Sequence, residues 1–143
     1  MIRTDNEYEQ ARSRLLDEKK RLGEHEASLK EVGLDTTQLK RAMDPLRSFT
    51  LQLEEEVESY ERMQRGSFNP SENLGGLGQL LVAARVFAGL SQRELATRLE
   101  VHESQISRDE RNEYRTITVE RAKRILEAIG VVELHSVMRP KSV

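Results

Sequence analysis

The clearest candidate for chemistry in this sequence is a run of polar side chains between residues 103 and 111. Ile106 is the one apolar residue of the run, so it marks the side of a short helix that faces a core. The outward positions carry carboxylate, hydroxyl, carboxamide and guanidinium groups: Glu103, Ser104, Gln105, Ser107, Arg108 and Arg111. These groups form the hydrogen bonds by which proteins contact base edges and phosphates. The pattern predicts a surface for recognition.

Residues for catalysis or metal binding do not assemble in the sequence. The chain has no Cys, which excludes disulfides, thiolate zinc sites and cysteine nucleophiles and fits a cytoplasmic protein. Ser91 and Ser107 have no obvious base partner among their neighbours. The chain has three histidines, too far apart for metal-ligand spacing: His25, His102 and His135. We therefore expect no enzyme activity, no metal and no cofactor.

A scaffold of short helices must position the polar run. Ser91 with Glu94 forms a capping box, which predicts the start of a helix that continues through Leu99. Two short helices joined by a three-residue turn define a helix-turn-helix, and the small Ala96 allows the two to cross closely. The predicted helices span residues 79–88, 91–99, 103–111 and 118–130. The alternating tail 131–138 predicts a short strand, which would need a partner strand.

The stretch from Gly89 to Ala96, together with Ile106 to Glu110, resembles the phage-repressor (Xre-type) helix-turn-helix family. The resemblance covers about residues 77–131 and implies a domain that binds double-stranded DNA. It implies base contacts from five residues of the third helix: Glu103, Ser104, Gln105, Ser107 and Arg108. It implies phosphate contacts from Gln92, Arg111 and Arg115. It also implies a structural ion pair between Arg85 and Glu110.

Two positions depart from the pattern of that family. Glu100 stands in the turn where the family usually has Gly, and a left-handed Glu would cost about 1 kcal/mol relative to Gly. Asp109 replaces a residue that is usually apolar, which predicts that the rear of the third helix is more exposed than normal. Glu103, Asp109 and Glu113 also place acidic groups near the expected DNA surface, where they weaken phosphate binding.

Residues 1–66 carry a different pattern, a narrow apolar stripe with seven-residue spacing. Narrow stripes of this kind pair with other helices, so a coiled-coil-like helical hairpin that self-associates is predicted. The alternative is a hairpin that packs on its own C-terminal domain. Pro45 interrupts the stripe, and Asp44 before it predicts a fresh helix beginning there. Six side chains form the predicted dimer seam: Leu15, Leu22, Leu29, Leu46, Leu53 and Tyr60.

The charges divide the chain in the same way. The whole chain of 143 residues has a net charge of −2. Residues 1–66 carry 12 basic and 15 acidic groups, the breaker-rich linker 67–78 carries one acidic group, and residues 79–143 carry 11 basic and 9 acidic groups. The low aromatic content of 4% fits two small helical units better than one thick core. We therefore predict an all-α protein with a hairpin, a linker and a helix-turn-helix domain of four to five helices.

These patterns predict a DNA-binding transcriptional regulator that acts as a homodimer on a two-fold operator. One alternative is an antitoxin-type protein whose hairpin binds a protein partner while the helix-turn-helix autoregulates its operon. The hairpin loosely resembles the helical N-terminal region of some antitoxin-like members of the family. A second alternative is a helix-turn-helix that binds protein without DNA. No apolar run approaches the roughly 20 residues of a membrane span, so no membrane partner is expected.

Overall fold

The computed structural model describes residues 1–68, 74–131 and 133–135. The chain divides into two compact units, residues 1–67 and residues 68–143. All regular secondary structure among the described residues is helical, so the predicted all-α class is confirmed.

The N-terminal unit is an antiparallel hairpin of two long helices, α1 (Asp5–Glu31) and α2 (Thr36–Gln64). Both begin with a capping box, in which the side chain before the helix and the side chain three residues later bond each other's backbone amides. Thr4 with Glu7 caps α1, and Asp35 with Gln38 caps α2. Gly33, at a φ of +85°, ends the first helix where the sequence predicted its end.

The prediction of a fresh helix at Asp44 is wrong, because α2 runs through Pro45 without a break. The capping box of Asp35 begins the helix nine residues earlier, so Asp35 is the N-cap that Asp44 was predicted to be. Pro45 removes one backbone hydrogen bond. Met43 is fully buried and Thr50 is 6% exposed, so the helix packs against α1 on both sides of the proline. This packing maintains the helix through Pro45.

Apolar and paired polar side chains close the hairpin. Its buried core contains Leu15, Met43, Val57, Tyr60 and Met63. The rings of Tyr8 and Tyr60 stack with centroids 5.2 Å apart. Their hydroxyls donate across the hairpin, from Tyr8 to Glu61 at 2.9 Å and from Tyr60 to Asp5 at 2.8 Å. Two ion pairs, Lys19 with Glu54 and Arg47 with Glu26, also link the helices.

The predicted dimer seam is therefore partly used within one chain. Leu15 and Tyr60 are buried in the single hairpin, and Leu22, Leu29 and Leu53 are half-buried. Leu46 remains 44% exposed, and Phe49, one turn further along α2, is 43% exposed. Self-association through this stripe stays a prediction, and Leu46 is its most exposed member.

The C-terminal unit contains a 3-10 turn (Leu74–Gly76) and four α-helices. These are α3 (Leu77–Phe87), α4 (Gln92–Arg98), α5 (Glu103–Arg111) and α6 (Val119–Ile129). The core lies among all four helices, and its most buried apolar side chains are Leu81, Val82, Leu95, Ile106 and Ile125. Residues 77 and 78, placed in the linker by the sequence, already belong to α3, and residues 69–73 lie outside the described residues. Most of the predicted strand 131–138 also lies outside them, and Val131 with residues 133–135 forms no strand.

The turn between α5 and α6 packs closely on α3. Glu113 and Tyr114 both adopt left-handed backbone conformations, with φ values of +52° and +50°. Their geometry brings the Glu113 carbonyl so near Gly78 that a Cβ atom there would lie 1.8 Å from its oxygen. Tyr114 is 5% exposed, and burial raises the pKa of its phenol. The sequence predicted a polar loop here, yet one of its side chains belongs to the core.

Candidate nucleic-acid interface

Local hydrogen bonds define both the start of α4 and the turn that joins α4 to α5. Ser91 accepts from the amide of Glu94 at 3.1 Å, and Glu94 accepts from the amide of Ser91 at 2.8 Å. The backbone hydrogen bond from Ser91, followed by its side-chain bond, lowers the pKa of the Glu94 carboxyl. Ala96 is 2% exposed, as expected for the small residue predicted to let the helices cross closely. Glu100 in the turn has a φ of +57°, the left-handed conformation that favours glycine.

Helix α5 exposes three of the five predicted base-contacting residues on its outer side. His102 caps this helix through its Nδ1 atom, which accepts from the amide of Ser104 at 3.2 Å. Ile106 and Glu110 face the interior and are fully buried. The first turn and the outer face carry three exposed polar residues, Glu103, Ser104 and Arg108, with Ser107 and Gln105 half-buried beside them. Arg111, in the last turn, and Arg115 beyond it are also exposed.

A buried polar network anchors α5 to α3 and α4. Arg85 donates from Nε to Glu110 Oε1 at 2.5 Å and from Nη2 to Oε2 at 2.7 Å. It also donates to the carbonyl of Leu90 at 2.7 Å. Arg85 is 2% exposed and Glu110 is fully buried, so each charge depends on the other for compensation. The implied pair therefore exists in this chain.

Gln92, an expected phosphate contact, belongs to the same network. It is the first residue of α4, and its Nε2 atom donates to Glu110 Oε2 at 2.7 Å. A carboxamide nitrogen carries two hydrogens, so one remains for an external acceptor. The contact with Glu110 fixes where that second hydrogen points.

A second polar cluster joins the side of α5 to the start of α6. Arg121 Nη2 donates to Asp109 Oδ2 at 2.5 Å. The carboxamide oxygen of Gln105 faces the same guanidinium, 3.0 Å from both Nη1 and Nη2, because the opposite orientation would place donors against donors. Asp109 is 28% exposed, and its carboxylate forms an ion pair with Arg121.

Residues 81–135 match the family model described as "Helix-turn-helix". The C-terminal unit contains an Xre-type helix-turn-helix domain. Within the matched residues, α4, the turn at Glu100 and α5 form the helix-turn-helix. Families of this kind are DNA-binding regulatory domains, so the domain supports DNA binding in general.

The match does not extend to the helical hairpin of residues 1–67. No curated protein and no solved structure matches the chain. Among the described residues, no helix is long and apolar enough to cross a membrane. The same residues contain no group of three or more acidic or histidine side chains arranged to hold a metal ion.

Three residues of the domain were not singled out from the sequence. Arg121 is the ion-pair partner of Asp109. An acidic residue at a usually apolar position indicates that a basic partner lies nearby, and this was the sequence feature that pointed to Arg121. Gly78 permits the close approach of α3 to the turn after α5. Tyr114 had no signal, since an aromatic residue within a polar, left-handed turn is not periodic with any helix.

Proposed function

We propose that this protein is a sequence-specific transcriptional repressor that binds a two-fold DNA operator as a dimer. The observation that carries the proposal is the exposed polar face of α5, mounted on a core that matches the helix-turn-helix family. The N-terminal part of a recognition helix lies in the major groove and contacts base edges there. Glu103, Ser104 and Arg108 occupy the corresponding side of α5.

The proposed contacts follow from the chemistry of each side chain. Arg108 donates two parallel hydrogen bonds to guanine, and Glu103 accepts from the amine of cytosine. Ser104 and Ser107 donate to or accept from neighbouring edges. Arg111 and Arg115 neutralise phosphates beside the groove, and Gln92 donates its second amide hydrogen to a phosphate near the start of α4.

The modest charge of the domain favours binding in pairs. Residues 79–143 carry 11 basic and 9 acidic groups, so one copy has little electrostatic attraction to DNA. Two copies on two half-sites add their contacts, and half-sites about 34–36 Å apart place both recognition helices on one side of the duplex. We assign the pairing to the hairpin, where Leu46 and Phe49 remain exposed at 44% and 43%.

The same exposed side chains support a second candidate function. An antitoxin-type protein would use Leu46 and Phe49 to hold a protein partner, and its helix-turn-helix would repress its own operon. The two functions differ in what covers the hairpin. In the first, the pure protein is a dimer through α2. In the second function, Leu46 and Phe49 are exposed in the pure protein and are covered by a protein partner encoded beside it.

Selection of bound sequences from random double-stranded DNA tests the proposal. The expected result is one enriched site composed of two inverted half-sites, and an affinity that falls steeply as salt increases. The Arg108→Ala variant is the control, because it should lose enrichment at one base pair of each half-site. Failure of the wild-type chain to enrich any sequence at low salt would contradict DNA recognition and favour a domain that binds protein.

A further inference from the structure

Helix α5 is held from two directions that lie about 100° apart around its axis. Ile106 and Glu110, four residues apart, face the core and are fully buried. Gln105 and Asp109, each one residue earlier, form the neighbouring row and face Arg121 of α6. Successive helix positions differ by about 100°. A single row of contacts leaves rotation about the helix axis soft, whereas two rows at this angle oppose it.

One guanidinium contacts both residues of the second row. Arg121 Nη2 lies 2.5 Å from Asp109 Oδ2, and Nη1 and Nη2 each lie 3.0 Å from Gln105 Oε1. Arg121 therefore spans one full turn of α5. The planar fork of arginine can satisfy two acceptors in this way, which the single ammonium of lysine cannot do with equal geometry.

The contacts of Arg121 with Gln105 and Asp109, here called the clamp, lie next to the residues proposed to touch DNA. Ser104 precedes Gln105 and Arg108 precedes Asp109, and both are exposed. Rotation of α5 about its axis therefore moves Ser104 and Arg108 directly. The oxygen of Gln105 is occupied by Arg121, so Gln105 lacks the free acceptor that a paired contact with adenine requires.

We propose that Arg121, acting through Asp109 and Gln105, is a positioning residue that sets the rotation of the recognition helix. This inference rests on the proposed DNA binding through α5. It assigns Gln105 to the clamp and leaves base contact to Glu103, Ser104, Ser107 and Arg108. Asp109 has a use that its charge alone would not predict, because an acidic group near DNA repels phosphates while this one holds Arg121.

The test is a double-mutant cycle of Asp109→Asn and Arg121→Met, with affinity measured for the selected site and for the same site carrying one altered base pair. Asp109→Asn removes a negative charge, so electrostatics alone would tighten binding to all DNA. Positioning gives the opposite sign, with weaker binding to the selected site and a smaller ratio between the two sites. We expect the effects of the two substitutions to be coupled by about tenfold, within the range for residues in one hydrogen-bond network.

Glu120→Gln is the matched control, since it removes an exposed acidic group beside Arg121 and should bind as tightly as wild type or more tightly. Melting curves confirm that affinities are measured on folded protein. If the substitutions only lowered the folded fraction, binding to both DNAs would weaken equally and the ratio of the two affinities would not change. An unchanged ratio would therefore overturn the inference. So would additive effects, with Arg121→Met lowering the salt dependence by about one phosphate contact. A wild-type chain that binds no DNA would instead overturn the proposed function itself.

Discussion

At the residue scale, two arginines of the C-terminal unit have different roles although both lie near α5. Arg85 is 2% exposed and compensates the fully buried Glu110, whereas Arg108 is exposed on the outer face. Removing one partner of a buried pair leaves an uncompensated charge in the core. We expect Arg85→Ala to lower the free energy of unfolding by about 3–5 kcal/mol.

The Arg108→Ala variant should change that stability by less than about 0.5 kcal/mol, because the side chain is exposed. It should lower affinity for the selected DNA by about 1–3 kcal/mol, the value of a good paired contact with a base. Urea unfolding and a DNA titration on both variants measure the difference. Equal losses of stability would contradict the assignment of the two roles.

Replacing each of two glycines by alanine should change the stability of the protein in opposite directions. A Cβ atom at Gly78 would meet the backbone carbonyl of Glu113 at 1.8 Å, and neither backbone segment can yield cheaply. Gly78→Ala should therefore destabilise the C-terminal unit by about 1–3 kcal/mol, as overpacking usually does. Gly23, inside α1, has nothing within 4 Å of its Cβ position. Gly23→Ala should stabilise the chain by about 0.5–1 kcal/mol, and thermal melting distinguishes the two results.

At the scale of the element, the turn between α4 and α5 stores a small strain. Glu100 has a φ of +57°, so Glu100→Gly should stabilise the chain by about 1 kcal/mol. Glu100→Ala removes the same charge but keeps a side chain in the left-handed conformation, and it should give none of this gain. Chemical unfolding of the two variants separates backbone strain from charge. Equal gains would indicate that the carboxylate, and not the backbone, is unfavourable there.

The sequence predicted the helices best where their ends are encoded by adjacent residues. The capping box predicted at Ser91 and the N-cap predicted at Thr118 are both present in the structure. The helix start predicted at Asp44 was wrong because packing of α2 against α1 outweighs the helix-breaking tendency of Pro45, and adjacent residues do not reveal that packing. For the same reason, adjacent residues do not indicate the pairing of Arg121 with Asp109, which lie twelve residues apart on different helices.

At the scale of the whole molecule, the proposed dimer depends on one exposed stretch of α2. The double variant Leu46→Lys with Phe49→Lys should convert the dimer to monomer and weaken operator binding, because each half-site would then be bound singly. Leu16→Lys with Leu51→Lys is the control, since these side chains are 65% and 62% exposed and lie outside the predicted seam. Sedimentation measures the mass of each variant. A wild-type monomer, or a control that dissociates equally, would contradict dimerisation through Leu46 and Phe49.

The capping boxes at the starts of α1, α2 and α4 also bear on how the chain acquires its structure. Signals that act over three residues specify helix starts before distant contacts exist, and the hairpin pairs two neighbouring helices within residues 1–67. Such a topology has low contact order and belongs to the fast-folding class. Within this chain the hairpin is synthesised before the C-terminal unit, so it can complete its core while the DNA-binding domain is still being translated.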